Sequence, residues 1–393
     1  MSTVMQQQQR KADGVQRLAA IVRDLGPAFA EREPKHDAED TFVAENYTEL
    51  RERKAFSAAV PAELGGGGAT HADVCEFIRA IARHSPSTAL AFSMHSHLLQ
   101  TVIWRHRKVT TPPLMEPLLR RIASEELVLV SSGASDWLDG SGVLAKDDGA
   151  WRLSGRKIFG SGAPAGDLLL TTGVYDDPQQ GKQVFHFGVN LHDPTVKVLD
   201  NWRTMGMRAT GSNDIVIEGF KVPDPSISLR RPAGKWHPFY DVVAVLAFPL
   251  VMAAYVGLAE SARDLALRAA EKRKDDPVYQ SLVGEMDTEL LGAQSALEDA
   301  IITANDPGLA PSLATSRVLF QRKTLIQRGA IRTVELAFEI VGGRGFFRSA
   351  GIERLFRDVQ GARYHPLQEA KQYLFGGRIA LGLDPVGPPS GKD

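Results

Sequence analysis

The side chains with chemistry to offer are few, and they fall in short stretches. His95 and His97 stand two residues apart in Ser93-Met94-His95-Ser96-His97. That spacing would pair the rings on a strand, but residues 88–99 carry a helical pattern, on which positions two apart diverge, so no metal site is expected. His365 follows Tyr364 and precedes Pro366, which forces the chain out of a regular helix. An imidazole titrating near neutrality moves protons, although either His95 or His365 reads equally well as a hydrogen-bonded core residue. Arg208 suits a phosphate or a carboxylate, or serves as a structural strand arginine. Gly342-Gly343-Arg344-Gly345 ends a long amphipathic helix with Leu319, Ile326, Val334, Phe338 and Val341 on its apolar face. Such glycines cap a helix or admit another backbone or an anion. The four glycines at 65–68 are followed by neither Lys-Ser nor Lys-Thr, so they read as a helix-to-helix loop. No glycine cluster follows a buried strand and opens a helix in the manner of a nicotinamide site.

The elements that must position these groups come in three blocks. Apolar residues recur at three- and four-residue spacing in 15–30, 72–82 and 88–104, which predicts a helical N-terminal domain over 1–124. Near Glu125 the period changes to two. Strands are expected at 127–130, at 151–153 after the turn Asp147-Asp148-Gly149, and at 167–174, 184–189, 196–199 and 213–222, forming a β domain over 125–234 that ends at Pro223 and Pro225. From about His237 the helical period returns, broken at Asp275-Asp276-Pro277, Asp306-Pro307-Gly308 and the double glycine, giving a C-terminal helical bundle over 235–393. Helices, strands, then helices exclude a doubly wound sheet, which needs alternation. The small residues Ala253, Ala254, Gly257, Ala259, Ala262 and Ala266 mark a helix that neighbours approach tightly.

At 393 residues and 43% hydrophobic, the chain supports two or three cores, because one core rarely serves beyond roughly 250–300 residues. A net charge of −1 provides no field for nucleic acid or an anionic membrane. The single cysteine, Cys75, forms no intrachain disulfide and reads as a buried thiol from a reducing compartment. With no apolar leader at the N-terminus, and no run of about 18 uninterrupted apolar residues expected, a cytoplasmic protein without a membrane span is predicted.

Several segments together resemble the acyl-CoA dehydrogenase superfamily over nearly the whole length. These are Ile340-Val341-Gly342-Gly343-Arg344-Gly345 followed by Arg357-Asp358, Val130-Ser131-Ser132-Gly133-Ala134-Ser135-Asp136, Leu153-Ser154-Gly155-Arg156-Lys157-Ile158-Phe159-Gly160-Ser161, and the Gly206-Met207-Arg208 strand pair before Val222-Pro223. The resemblance implies an α+β multidomain fold with an N-terminal helical domain, a central antiparallel β-barrel and a C-terminal four-helix bundle that assembles as a homotetramer or homodimer. It also implies FAD, or FMN, against Ser131 or Ser132, Ser135, Phe159 and Ser161, with Gly342 and Gly343 approaching the flavin of a neighbouring subunit. Arg208 is the implied substrate contact.

Relatives that dehydrogenate acyl thioesters place a carboxylate base near one of two positions, which correspond here to His365-Pro366 and to Ala247. Neither is a carboxylate, which leaves His365 as a direct base, or Glu369 on a remodelled loop. The flavin-gripping arginine and phenylalanine of relatives are replaced by Glu271-Lys272-Arg273-Lys274, and their glutamine before the double glycine by Glu339. These departures resemble the flavin monooxygenase branch, which uses histidines and serines beside the flavin, with His95 and His365 as the candidates. The first expectation is therefore dehydrogenation of an acyl-CoA or similar carbonyl compound, with an electron-transfer flavoprotein as partner. A two-component monooxygenase fed reduced flavin by a reductase and acting on an aromatic or carbonyl compound is the second, and a binding subunit without chemistry the third.

Overall fold

One helix organises the chain. In the computed structural model, which describes residues 3–108, 115–133, 136–147, 149–306, 308 and 310–387, helix Phe239–Ala270 runs through the centre. Its stretch from Val242 to Ala259 has no charged or amide side chain, contrary to the expectation that no such run occurs. Length and composition would let the helix cross a membrane, but 94% of its apolar window is buried inside the protein, as a core helix requires.

Among the described residues, the elements before it are five α-helices, α1 (Thr3–Glu39), α2 (Ala44–Glu52), α3 (His71–Ala82), α4 (Pro86–Lys108) and α5 (Met115–Glu125), then eight strands. These are β1 (Leu129–Ser131), β2 (Val143–Asp147), β3 (Ala150–Gly160), β4 (Leu168–Asp177), β5 (Gly181–Asn190), β6 (Val196–Val198), β7 (Asn213–Val222) and β8 (Leu229–Pro232). The central helix is α6, and α7 (Pro277–Ala304), α8 (Leu313–Val341), α9 (Ile352–Val359) and α10 (Glu369–Ala380) follow.

Local sequence sets the boundaries. Thr70 and Asp73 form a reciprocal capping box at the start of α3, Asp276 caps α7 with Pro277 in its first turn, and α8 stops at Gly342, whose φ is +68°. Asp147 pairs with Ala150 across the predicted β2–β3 turn, of which Asp148 lies outside the described residues, as does Pro307 of the Asp306-Pro307-Gly308 break.

The strands do not close into an antiparallel barrel. They form one sheet in the order β6-β7-β3-β2-β4-β5-β8, with β1 alongside β4. The β1–β4 and β2–β4 pairings are parallel and the others antiparallel. The alternating pattern that predicted the strands reports which face is buried, not which strand lies beside which. Strand β8 was not expected, since Pro223 and Pro225 read as the end of the β region. Instead Pro223 precedes, and Pro225 lies within, a short turn before β8.

In the C-terminal region α6, α7 and α8 pack on one another and α10 lies against α8. On its other side α6 packs against α3 and α4. A Cβ at Gly257 would fall 2.1 Å from the Arg79 carbonyl oxygen of α3, so the small-residue face of α6 meets another part of the same chain at this point. The sheet has its own core, which includes Leu153, Phe187 and Ile217.

Candidate active site

Where the sheet's loops meet α4, α6 and the segment after α9, the chain encloses a cavity of about 510 Å³. Its polar wall is built by the sheet. Ser131 ends β1 and Ser132 follows, donating to the Asp136 carboxylate. Asp136 is ion-paired at 3.1 Å with Lys157 of β3, and both side chains are almost fully buried. A buried charge persists only when paired and hydrogen-bonded, and Ser141, Thr171 and the Thr172 carbonyl complete this cluster. Ser161 shares a 2.7 Å hydrogen bond with Ser212, which in turn shares one of 2.7 Å with Thr210. Between these hydroxyls Phe159, at φ +58°, turns its half-exposed ring to the cavity and meets Trp202 edge-on at 5.7 Å. A bulky residue at positive φ is strained by roughly 1–3 kcal/mol, and its surroundings hold it there.

The opposite wall is helical. Leu90 and Met94 of α4 and Ala247, Phe248 and Val251 of α6 are apolar, and His97, Tyr255 and His365 bring the polar atoms. His365 Nε2 lies 2.7 Å from the Tyr255 hydroxyl. Burial, then the nearby Lys323 and His97, depress the His365 pKa to about 3, and burial followed by His95 depresses His97 to about 4, so both rings are neutral at pH 7. The His97 Nδ1 is buried without a partner. Burial also lowers the Lys323 ammonium to about 8; it donates to the Leu367 carbonyl at 2.9 Å and so ties the 365–368 segment to α8.

Loop 202–207 closes one end. Trp202 donates to the Met207 carbonyl, and Met207 N donates to Asp358 of α9 at 2.5 Å. Arg357 reaches the cavity edge, but its guanidinium is held by Asp37 and Glu353. Among the described residues, no aspartate or glutamate lines the cavity. Ala247 and His365 occupy its wall at the two positions where a carboxylate base was sought.

Of the residues singled out from sequence, the structure gathers Ser131, Ser132, Phe159, Ser161 and His365 around this one space. Ser135 lies outside the described residues. His95 is elsewhere: its Nε2 meets the Phe56 carbonyl at 2.8 Å and its Nδ1 accepts from Leu129 N at 3.0 Å, so both ring nitrogens are committed to backbone. Arg208 is also elsewhere, donating to the Thr204 carbonyl at 2.9 Å and paired with Asp40 at 3.6 Å, away from the cavity. Glu369 is bound by Arg328 and Tyr373, which lower its pKa, and it does not line the cavity. Gly342 and Gly343 lie at the end of α8, with nothing within 4 Å of a Cβ placed on either.

The cavity wall also includes residues given no role from sequence, among them His97, Tyr255 and Trp202. His97 was passed over with the metal reading, although divergence of residues two apart on a helix already places one ring of the pair on each side. Tyr255 is hidden in an apolar run, and Trp202 opens the segment that contains Gly206-Met207-Arg208 without a role of its own.

Comparison with known proteins agrees with this architecture. Residues 15–126 match the acyl-CoA dehydrogenase N-terminal domain and residues 250–369 the acyl-CoA dehydrogenase C-terminal domain. The chain is similar to the amino sugar nitrososynthase DnmZ of Streptomyces peucetius, with 30% identity over 95% of each chain. It is also similar to the dibenzothiophene monooxygenase of Rhodococcus erythropolis, at 27% identity over 91% of this chain and 88% of the other. Among solved structures, KijD3 in complex with FMN and dTDP-3-amino-2,3,6-trideoxy-4-keto-3-methyl-D-glucose superposes with a TM-score of 0.85 and 30% identity, over 97% of this chain and 95% of that one. The fold, the two matched domains and the full-length relatives together place the chain in the acyl-CoA dehydrogenase superfamily of flavin-dependent oxidoreductases.

Proposed function

We propose that this flavin-dependent enzyme is a monooxygenase that takes reduced FMN from a separate flavin reductase and oxygenates an electron-rich nitrogen of a small molecule, in preference to dehydrogenating an acyl-CoA. The single observation that carries this reading is the cavity wall without a carboxylate. Removing an α-proton from a thioester needs a base of suitable pKa within reach. Here the two positions for it hold Ala247 and His365, and a ring depressed to about 3 is a poor base. In the adjoining cavity Asp136 is no substitute, because Lys157, Ser132, Ser141 and Thr171 hold its oxygens. The nitrogen substrate is favoured by similarity to the nitrososynthase and to KijD3 with its amino sugar nucleotide.

The residues fit a flavin. A ring system needs flat apolar cover and a few convergent hydroxyls in a space of roughly 300–1,000 Å³. Phe159 and Trp202 would cover it, and Ser131, Ser132 and Ser161 would hold its polar edge. Reduced flavin supplies the two electrons with which O₂ is split, one oxygen atom entering the substrate and the other leaving as water. Gly342 and Gly343 would meet a neighbouring subunit, in a dimer or tetramer.

The chain's own part is orientation, dryness and hydrogen bonding. Leu90, Met94, Phe248 and Val251 exclude water from the space between the two walls. His97 and His365, neutral at pH 7, each hold one N–H and one bare nitrogen, so each can donate a hydrogen bond to an oxygen without placing a cation beside it. Ser132, whose own proton goes to Asp136, presents lone pairs and favours a ligand N–H.

The test supplies the protein with reduced FMN from a reductase, isotopically labelled O₂ and a panel of amines that includes nucleotide-linked amino sugars. Incorporation of one labelled oxygen into an amine is the expected result. Oxygen consumption that yields hydrogen peroxide alone with every amine would remove the nitrogen assignment.

A further inference from the structure

We propose that Tyr255 is a positioning residue that fixes the tautomer of His365, leaving Nε2 bare and the proton on Nδ1, the nitrogen left to the cavity. The argument is one of hydrogen-bond satisfaction. The Tyr255 side chain is fully buried, and its hydroxyl has His365 Nε2, at 2.7 Å, as its sole partner among the described residues. Two arrangements of protons are available. If Nε2 carried the proton and donated to the phenol, the tyrosine O–H would be a buried donor with no acceptor, at a cost of the full desolvation penalty. If the phenol donates to Nε2, its proton is satisfied and the neutral ring must carry its own proton on Nδ1. Nδ1 has no partner within the chain among the described residues, and His365 lines the cavity, so a ligand oxygen or water is left to accept that N–H.

Two neighbours hold the pair in register. A Cβ at Gly361 would fall 2.7 Å from the Tyr255 hydroxyl oxygen, so glycine is what leaves room for the phenol to reach the ring. From the other side, Lys323 grips the Leu367 carbonyl two residues beyond His365. His365 is thereby presented to the cavity as a donor and not as a base. This inference concerns the same cavity as the proposed oxygenation and gives His365 its sense of action there, but its measurement needs neither flavin nor substrate.

The test is nitrogen-15 NMR of histidine-labelled protein, in which two-bond correlations separate the Nδ1–H and Nε2–H forms, with His365→Gln used to assign the ring. The wild-type protein is expected to show His365 as Nδ1–H. Tyr255→Phe removes the donor and is expected to move most of the population to Nε2–H. Gly361→Ala, which keeps the hydroxyl but displaces it, is expected to shift the population the same way. An Nε2–H form in the wild-type protein overturns the inference, as does an unchanged tautomer in both variants. Should Tyr255→Phe not fold, the wild-type spectrum and Gly361→Ala decide. A correct tautomer in a protein that oxygenates no amine would leave this inference standing and remove the functional reading alone.

Discussion

His95 and His97 stand two residues apart on α4 and face opposite surroundings. The His95 ring is locked between the Phe56 carbonyl and the Leu129 amide, while the His97 ring lines the cavity with its Nδ1 unpartnered. One ring joins the helical N-terminal part to β1, and the other is free to act.

Substitution should separate these roles. His95→Gln leaves the Phe56 carbonyl and the Leu129 amide poorly matched in a buried place, and is expected to destabilise the fold by about 1–3 kcal/mol. Denaturant titration measures this, and the protein that remains folded should turn over at close to the normal rate.

His97→Ala and His365→Ala should act on turnover instead. Each removes a hydrogen-bond donor at the cavity, and turnover is expected to fall by roughly 10²-fold or more, in the range for acid–base groups; the denaturation midpoint should change little in His97→Ala and drop in His365→Ala, which leaves the buried Tyr255 hydroxyl without its partner. Steady-state assays with reduced flavin in excess check it.

Acid should unfold the protein through its histidines. Burial leads the depression of His71, His95 and His97 to about 4 and of His186 and His365 to about 3. An unfolded histidine binds its proton near pH 6.5. Between those values the unfolded chain holds more protons, so stability falls as pH drops below about 6.5. Thermal melts from pH 8 to pH 5 should show a monotonic loss over the lower half of that range.

Asp358 contributes with the opposite sign. Burial raises its carboxyl to about 7, against roughly 4 in the unfolded chain, so the folded state holds the extra proton and this group's contribution is lost as pH rises from about 4 through 7. Asp358→Asn keeps an oxygen for Met207 N and cannot ionise. It is expected to be more stable than wild type by roughly 1–3 kcal/mol at pH 8, with the gain shrinking toward pH 5; a gain independent of pH would contradict the assignment.

Much of this was legible from residue order, and the failures have physical causes. Strand β7 was placed at 213–222, where it lies, because a half-buried strand alternates along its own length. Sheet closure was not legible, since β1 and β2 both pair with β4 in parallel and no local period records a partner's identity. Ser131, Ser132, Phe159, Ser161 and His365 were named because motif segments carry them. Tyr255 was not, because a hydroxyl inside an apolar helix declares itself only when its partner, 110 residues later, is seen 2.7 Å away. Arg208 allowed two readings, and its contacts match the structural one: an arginine's type shows that it seeks an anion, and here Asp40 of the same chain supplies one.

The most direct test of the central claim is rapid mixing of the protein, preloaded with reduced FMN, against oxygenated buffer while the flavin spectrum is followed. A long-lived spectrum distinct from both reduced and oxidised FMN, decaying faster when an amine substrate is present, is predicted. Oxidation at the rate of free FMN with no such phase, together with anaerobic bleaching of bound oxidised flavin by an acyl-CoA, would contradict the account and restore the dehydrogenase reading.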